Sequence, residues 1–238
     1  FYAGSKERAR QLLGLKQDWF IVLRADRNTE RKDWGATFEA FAWFAKDKPE
    51  ARLYAHTVWE GEHLGWVIPD LIEMFGLNER VINTRGFDNM RKTTPVEVFN
   101  LIMNAADVFL STTKGEGWGL NIHHARACGV PVIAPDNSSI PEVLGNGGEL
   151  IRTARTFVEP NGVVNALCDI DHAVELLNKL YASPELREKY RKDSILWAQK
   201  MKWDLIVPEF DRIIKEAIVK FRFQGYTEIK RWEWVQVE

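Results

Sequence analysis

Two clusters of residues in this chain could do chemistry. The first is the loop Lys114-Gly115-Glu116-Gly117-Trp118-Gly119, which separates the apolar run Val108-Phe109-Leu110 from a segment with Leu120, His123, His124 and Ala127 at helical spacing. A glycine loop feeding a helix N-terminus presents backbone N–H groups beside the positive end of the helix dipole, an arrangement that binds anions and phosphate above all. Glu116 places one carboxylate next to that position. It would repel phosphate unless it reached elsewhere, for instance to sugar hydroxyls. The second cluster is the basic run Arg27-Asn28-Thr29-Glu30-Arg31-Lys32. Taken alone, such a run reads as a solvated loop.

The elements that would hold these loops follow from periodicity. Phe20 to Leu23, Asp107 to Leu110 and Val130 to Ala134 read as short apolar runs suited to buried parallel strands, and Arg52 to Thr57 and Arg80 to Asn83 read as two further strands. Between them, helices are expected before Gly14, over Trp34–Lys46, over Pro69–Phe75, from a Thr94 cap with Pro95 in the first turn, and from Leu120 to Cys128-Gly129. Strand–helix alternation predicts a right-handed, doubly wound parallel sheet of the Rossmann-like kind, with ligands bound beyond the carboxyl ends of the strands. The Arg24–Lys32 and Lys114–Gly119 loops both leave such ends, so they should face one crevice. Past Leu150-Ile151 the alternation weakens, and residues 169–182, 184–200 and 208–222 read as helices. The expected division is a domain over residues 1–200 and a C-terminal helix and tail over 201–238. The tail from Tyr226 to Val237 reads as a strand or a docked arm.

The run Glu116-Gly117-Trp118-Gly119-Leu120, followed by Ala125 to Ile133 and by Ser138-Ser139-Ile140-Pro141-Glu142-Val143, resembles the donor-site motif of retaining glycosyltransferases of family four, which have the GT-B architecture. The resemblance covers roughly residues 12 to 200. It implies the C-terminal, donor-binding half of such an enzyme, with a nucleotide-diphosphate sugar as donor substrate and no metal. Carried over by position, it implies Glu116 as a ligand for donor-sugar hydroxyls, with Gly117, Trp118, Gly119 and Leu120 forming the donor loop. Trp118 stands where the family has Phe, and is expected to pack under the loop with its N–H toward the ligand. Arg27 and Lys32 take the positions that clamp the diphosphate, with Arg31 a competing candidate. Cations fixed in a partly dry site stabilise the negative charge of a departing nucleoside diphosphate better than water does. The family's second Glu, which holds the ribose, falls on His124. An imidazole there either contacts ribose, and then makes binding depend on pH near 6.5, or is structural filler; His123 reads as structural. Gly86-Phe87 either lines the base pocket or belongs to the core.

The rest of the composition excludes more than it assigns. The 238 residues are 45% hydrophobic and 28% charged with formal net charge −2, an ordinary globular chain with no general attraction to nucleic acid. Cys128 and Cys168 imply no disulfide framework and fit a cytoplasmic setting. No apolar run suits a transmembrane helix. Asp169-Ile170-Asp171 has a metal-like spacing but opens a helix, where acids favour the dipole. Nothing in residues 1–238 reads as an acceptor-binding half, so an N-terminal acceptor domain or a partner chain is expected to supply it. Two functions are therefore open: a glycosyltransferase donor domain that needs that half, or a non-catalytic binding module that kept the fold.

Overall fold

The computed structural model describes residues 1–59, 65–83, 94–160 and 162–223, with residues 221–223 described by backbone alone. The chain forms two compact units, Phe1–Ala198 and Gln199–Glu238. In the first, the strands β1 (Phe20–Ala25), β2 (Ala51–His56), β3 (Val81–Ile82), β4 (Val108–Leu110), β5 (Val132–Pro135) and β6 (Gly148–Ile151) build one sheet in the order β3-β2-β1-β4-β5-β6. Every pairing in it is parallel. The chain winds outward from β1 to β3, crosses back to β4 on the other side of β1, and winds outward again. The switch between the two directions lies between β1 and β4. The expected doubly wound, Rossmann-like sheet is therefore the observed one.

Helices cover both faces of the sheet. β1 is buried along its whole length, and its residues alternate between two cores. Phe20 and Val22 pack with Trp34, Phe38, Phe41 and Phe44 of α2 (Trp34–Ala45), α3 (Ile68–Met74) and α7 (Ile170–Ala182). Ile21, Leu23 and Ala25 face Ile102 and Met103 of α4 (Val96–Ala105), Ile122 and Ala125 of α5 (Leu120–Ala127), and α6 (Ile140–Leu144). Continuous burial is what a parallel strand covered on both faces requires. At the amino ends of the strands, α1 (Lys6–Leu13) is capped by the Ser5 hydroxyl and ended by Gly14 at φ 69°. The Asp107 carboxylate, just before β4, accepts from Arg10 at 2.6 Å, from Lys6 at 2.7 Å and from the Ile21 N–H at 2.8 Å.

Several expectations need correction. Arg24 belongs to β1 rather than to the loop and is fully buried. Thr94 does not cap α4. Pro95 is the cap residue, and the Thr94 hydroxyl lies 3.4 Å from His56 Nε2. After β6 the chain makes an antiparallel hairpin, β7 (Thr153–Val158) with β8 (Val164–Cys168), which no periodicity signalled because β7 is largely exposed on both faces. The helices α7 and α8 (Pro184–Lys200) fall where expected, and Asp169 caps α7 by accepting from the His172 N–H at 3.0 Å. In the second unit, α9 (Trp203–Phe223) begins earlier than residue 208 and carries Pro208 inside. Its charged side chains pair along the helix, Arg212 with Glu209 and Glu216, and Lys215 with Asp211. The tail from Tyr226 lies outside the described residues.

Candidate functional site

The loop after β1 is bent into position by its own polar residues. The Asn28 amide donates to the carbonyls of Val58 and Trp66 at 2.9 and 2.7 Å and accepts from the Trp66 N–H at 2.8 Å. A 3₁₀ turn over Glu30–Lys32 then leads to Asp33, in the left-handed region at φ 49°, which caps α2 by accepting from the Ala36 N–H. Burial raises the Asp33 pKa although that hydrogen bond opposes it. The loop after β4 is tied to the same turn. The Thr112 hydroxyl donates to the Asp33 carbonyl at 2.8 Å, which leaves Thr37 as donor to Thr112 at 2.7 Å. The Lys114 N–H donates to the Arg31 carbonyl at 2.9 Å.

These ties bring the sequence-predicted side chains together. The Lys32 ammonium contacts a Glu116 carboxylate oxygen directly, and Arg31 lies 3.3 Å from the other oxygen. Lys32 is also 2.6 Å from Asp26, which is 3.0 Å from the buried Arg24. Burial works to raise the Glu116 pKa, but the Lys32 hydrogen bond and the charges of Lys32 and Arg31 outweigh it and hold the carboxyl below its ordinary value. A third loop, after β5, supports Glu116 from behind. Its N–H donates to the Ser138 hydroxyl at 2.9 Å, and the Ser139 hydroxyl donates to its carbonyl at 3.1 Å. Ser138 itself sits at φ 51°, a conformation unfavourable for a non-glycine residue and met most often where a site needs it.

Gly119 opens α5 at φ 82°, and no side chain caps the helix there. A side chain at Gly119 would be strained by that φ and pressed 3.2 Å from Ile122 Cδ1. The start of α5, Gly119 to Ile122, lines a cleft of about 390 Å³ at the carboxyl ends of β1 and β4. Asp26, Arg27, Arg31, Lys32, Glu116, Trp118, Gly119, Leu120 and His124 line it. Arg27 is exposed at its rim, and its side chain has no ion pair among the described residues. The competing cations Arg27 and Arg31 thus both reach the cleft, with Arg31 alone at Glu116.

Trp118 departs from expectation: its ring is 39% exposed rather than packed under the loop, and its N–H donates to His123 Nδ1 at 3.1 Å. His123 packs edge-on against Trp197, a structural position. His124 stacks on Phe1 with ring centroids 3.8 Å apart and meets the edge of Phe99. Burial, with the neighbouring His123 and the chain's amino group, pushes its pKa down to about 4. That shift favours the neutral imidazole and runs against titration near 6.5, the behaviour expected of a ribose contact at His124. Gly86 and Phe87 lie outside the described residues.

Sequence reasoning missed Asp26, Asn121 and Ser138 as parts of the site. Asn121 donates to the Ala25 carbonyl at 2.7 Å and lies 3.3 Å from Asp26 Oδ1, so it ties the first turn of α5 to the end of β1. Only the Ser138 segment carried a signal, as part of the motif quoted above. Among the described residues no group of three or more His, Cys, Asp or Glu could hold a metal ion, and no helix is long and apolar enough to cross a membrane.

Comparison with known proteins bears on the fold and the family. The D-inositol 3-phosphate glycosyltransferase of Saccharomonospora viridis is 23% identical over 225 residues, which cover 93% of this chain and 48% of that protein. Among solved structures, sucrose-phosphate synthase from Thermosynechococcus elongatus superposes with a TM-score of 0.72 at 20% identity, covering 92% of this chain and 50% of that one. The Anabaena protein HepE, solved in complex with UDP and glucose, superposes with a TM-score of 0.66 at 18% identity, over 92% of this chain and 53% of that one. The chain thus spans about half the length of the relatives it matches and has the Rossmann-like fold found in one half of GT-B glycosyltransferases. The family model of glycosyl transferases group 1 matches residues 70–197, more than half of the sequence, and the chain belongs to that family.

Proposed function

We propose that this chain is the donor-binding part of a retaining, nucleotide-sugar-dependent glycosyltransferase of the family-four type. The observation that carries the reading is the meeting of Lys32 and Glu116 at the mouth of a cleft that also holds Arg27, Arg31 and the uncapped start of α5. A diphosphate fits the N–H groups of the helix start and the cations around them. A carboxylate is needed there only if the ligand also carries hydroxyls to accept from, as a sugar does. With the diphosphate bound, Lys32 and the two arginines neutralise the charge that grows on the leaving phosphate as the glycosidic bond breaks. Glu116, released from the cations by the competing phosphate, accepts from the sugar hydroxyls and fixes the ring. That HepE was solved with UDP and glucose supports a pyrimidine nucleotide as the first to try. The acceptor surface then lies outside these residues.

The test is a thermal-shift and calorimetric screen of the chain with UDP, GDP, ADP and their glucose or mannose conjugates. A ligand that binds only the native state raises its apparent stability by mass action. One nucleotide series should bind, the sugar conjugate more tightly than the bare diphosphate. Binding by none of them at millimolar concentration would sink the reading.

One observation favours a second reading, a binding module without catalysis. Phe1 covers one face of His124, at the position that the resemblance assigns to ribose. Restoring the carboxylate with His124→Glu separates the two. Tighter nucleotide binding by the variant supports a working ribose site. Unchanged affinity, with Glu116→Gln also silent, supports the module.

A further inference from the structure

Lys32 is tied at its carbonyl to the buried Arg24 and at its ammonium to the carboxylate that pairs with Arg24. The Arg24 guanidinium donates to the Lys32 carbonyl at 2.6 Å and lies 3.0 Å from the Asp26 carboxylate, whose other oxygen is 2.6 Å from the Lys32 ammonium. Arg24 is inaccessible to solvent and lies over the Trp34 ring with 5.4 Å to its centroid, so it is a fixed part of the core. Asn121, at the start of α5, lies 3.3 Å from the same Asp26 oxygen that meets Lys32. A lysine side chain has four rotatable bonds, and a bound conformation must overcome the rotamer entropy they carry. Glu116 cannot hold Lys32 in place during donor binding, because the proposed role of Glu116 takes it to the sugar.

We propose that Asp26 is the positioning residue for Lys32: it keeps the ammonium aimed into the cleft when Glu116 turns away. Asp26 does not touch the donor; it acts through Lys32, so the inference rests on the reading of Lys32 as a diphosphate ligand. The sign of its effect is diagnostic. Electrostatics alone makes Asp26 unfavourable, since a carboxylate this close to a bound phosphate repels it and its removal should tighten binding. Positioning predicts the opposite.

The experiment is calorimetric titration of the 238-residue chain with inorganic pyrophosphate, which carries no base or sugar, for wild type, Lys32→Met, Asp26→Asn, Asp26→Glu and the double variant Lys32→Met/Asp26→Asn. Lys32→Met should weaken binding about tenfold or more, the size of a lost charge-assisted hydrogen bond. Asp26→Asn should weaken it by a similar factor, and the double variant should bind no worse than Lys32→Met alone, since neighbours that act through one group are not additive. Asp26→Glu keeps the charge and misplaces it, so it should also weaken binding. It decides the matter if Asp26→Asn, which leaves Arg24 without its carboxylate, does not fold. Asp26→Asn binding as well as wild type or tighter, Asp26→Glu indistinguishable from wild type, or an Asp26→Asn loss that persists without Lys32 would each overturn the proposal while leaving Lys32 in its role. A silent Lys32→Met would instead remove the diphosphate reading, and Asp26's role with it.

Discussion

The Lys32 ammonium and the Glu116 carboxylate, 84 residues apart in sequence, touch in the cleft between β1 and β4. Each is thus the other's stand-in for ligand: the ammonium occupies the carboxylate that a sugar would engage, and the carboxylate occupies the ammonium that a phosphate would engage. A ligand carrying only phosphate must break this pair and recovers one half of it. A ligand carrying both groups satisfies both. Glu116→Gln should therefore bind the bare nucleoside diphosphate as well as wild type or better, and should lose most of the extra affinity for the sugar conjugate. Calorimetry with the two ligands side by side checks this; an equal loss for both would assign Glu116 to the phosphate side.

Arg27 offers the cleanest test of the phosphate side. It is exposed and has no ion pair among the described residues, so its truncation disturbs little of the fold. Arg27→Ala should change unfolding free energy by no more than about 0.5 kcal/mol. It should cost roughly 1–3 kcal/mol in binding of a nucleoside diphosphate. Free nucleoside should bind the variant and wild type alike.

His56 and His124 are both pushed to about 4, each chiefly by burial. The folded state refuses a proton that the unfolded chain takes up near 6.5. Stability from these residues is complete above about pH 6.5 and declines as pH falls toward 4. His56→Gln and His124→Gln should each flatten the fall of the urea midpoint between pH 6.5 and 4.5. The ratio of nucleotide affinities of His124→Gln and wild type should stay constant from pH 5.5 to 8.

At the other end of the sheet, Asp107 holds Arg10 and Lys6 while receiving the Ile21 N–H. Arg10 and Asp107 are both buried, and removing one member of such a pair strands the other charge. Asp107→Ala should cost about 3–5 kcal/mol of unfolding free energy, read by urea denaturation. Ligand affinity of the folded fraction should not change, since this network and the cleft lie at opposite ends of the strands.

The centre of the sheet was legible because β1 and β4 are buried on both faces and so read as unbroken apolar runs, Phe20 to Leu23 and Val108 to Leu110; β6, Gly148–Ile151, is only half-buried and gave no such run. The hairpin β7–β8 was not legible, because β7 is largely exposed on both faces and carries no such run. Glu116, Lys32 and Arg31 could be placed in one crevice since each follows a strand at the switch point. Their contact depends on the bonds from Asn28 to Val58 and from Thr112 to Asp33, which span 30 and 79 residues and leave no local pattern. Arg24 was misplaced in the loop for a related reason: a buried arginine balanced by Asp26 looks the same in sequence as a solvated one. The Trp118 N–H went to His123, five residues on, where a ligand had been expected.

The pairing of β1 with β4, Val22 beside Val108 and Leu23 beside Phe109, joins segments separated by two complete strand–helix units. Local structure can form early in either segment, but neither loop faces the other until this long-range pairing closes, and such non-local closures are slow steps. A partly folded chain that has β1 to β3 but lacks β4 therefore has the cations without the helix start and without Glu116. Affinity should appear in a refolding experiment with the rate constant of the slowest sheet-forming phase. A nucleotide added at the start of refolding should leave that rate unchanged and slow only the reverse reaction.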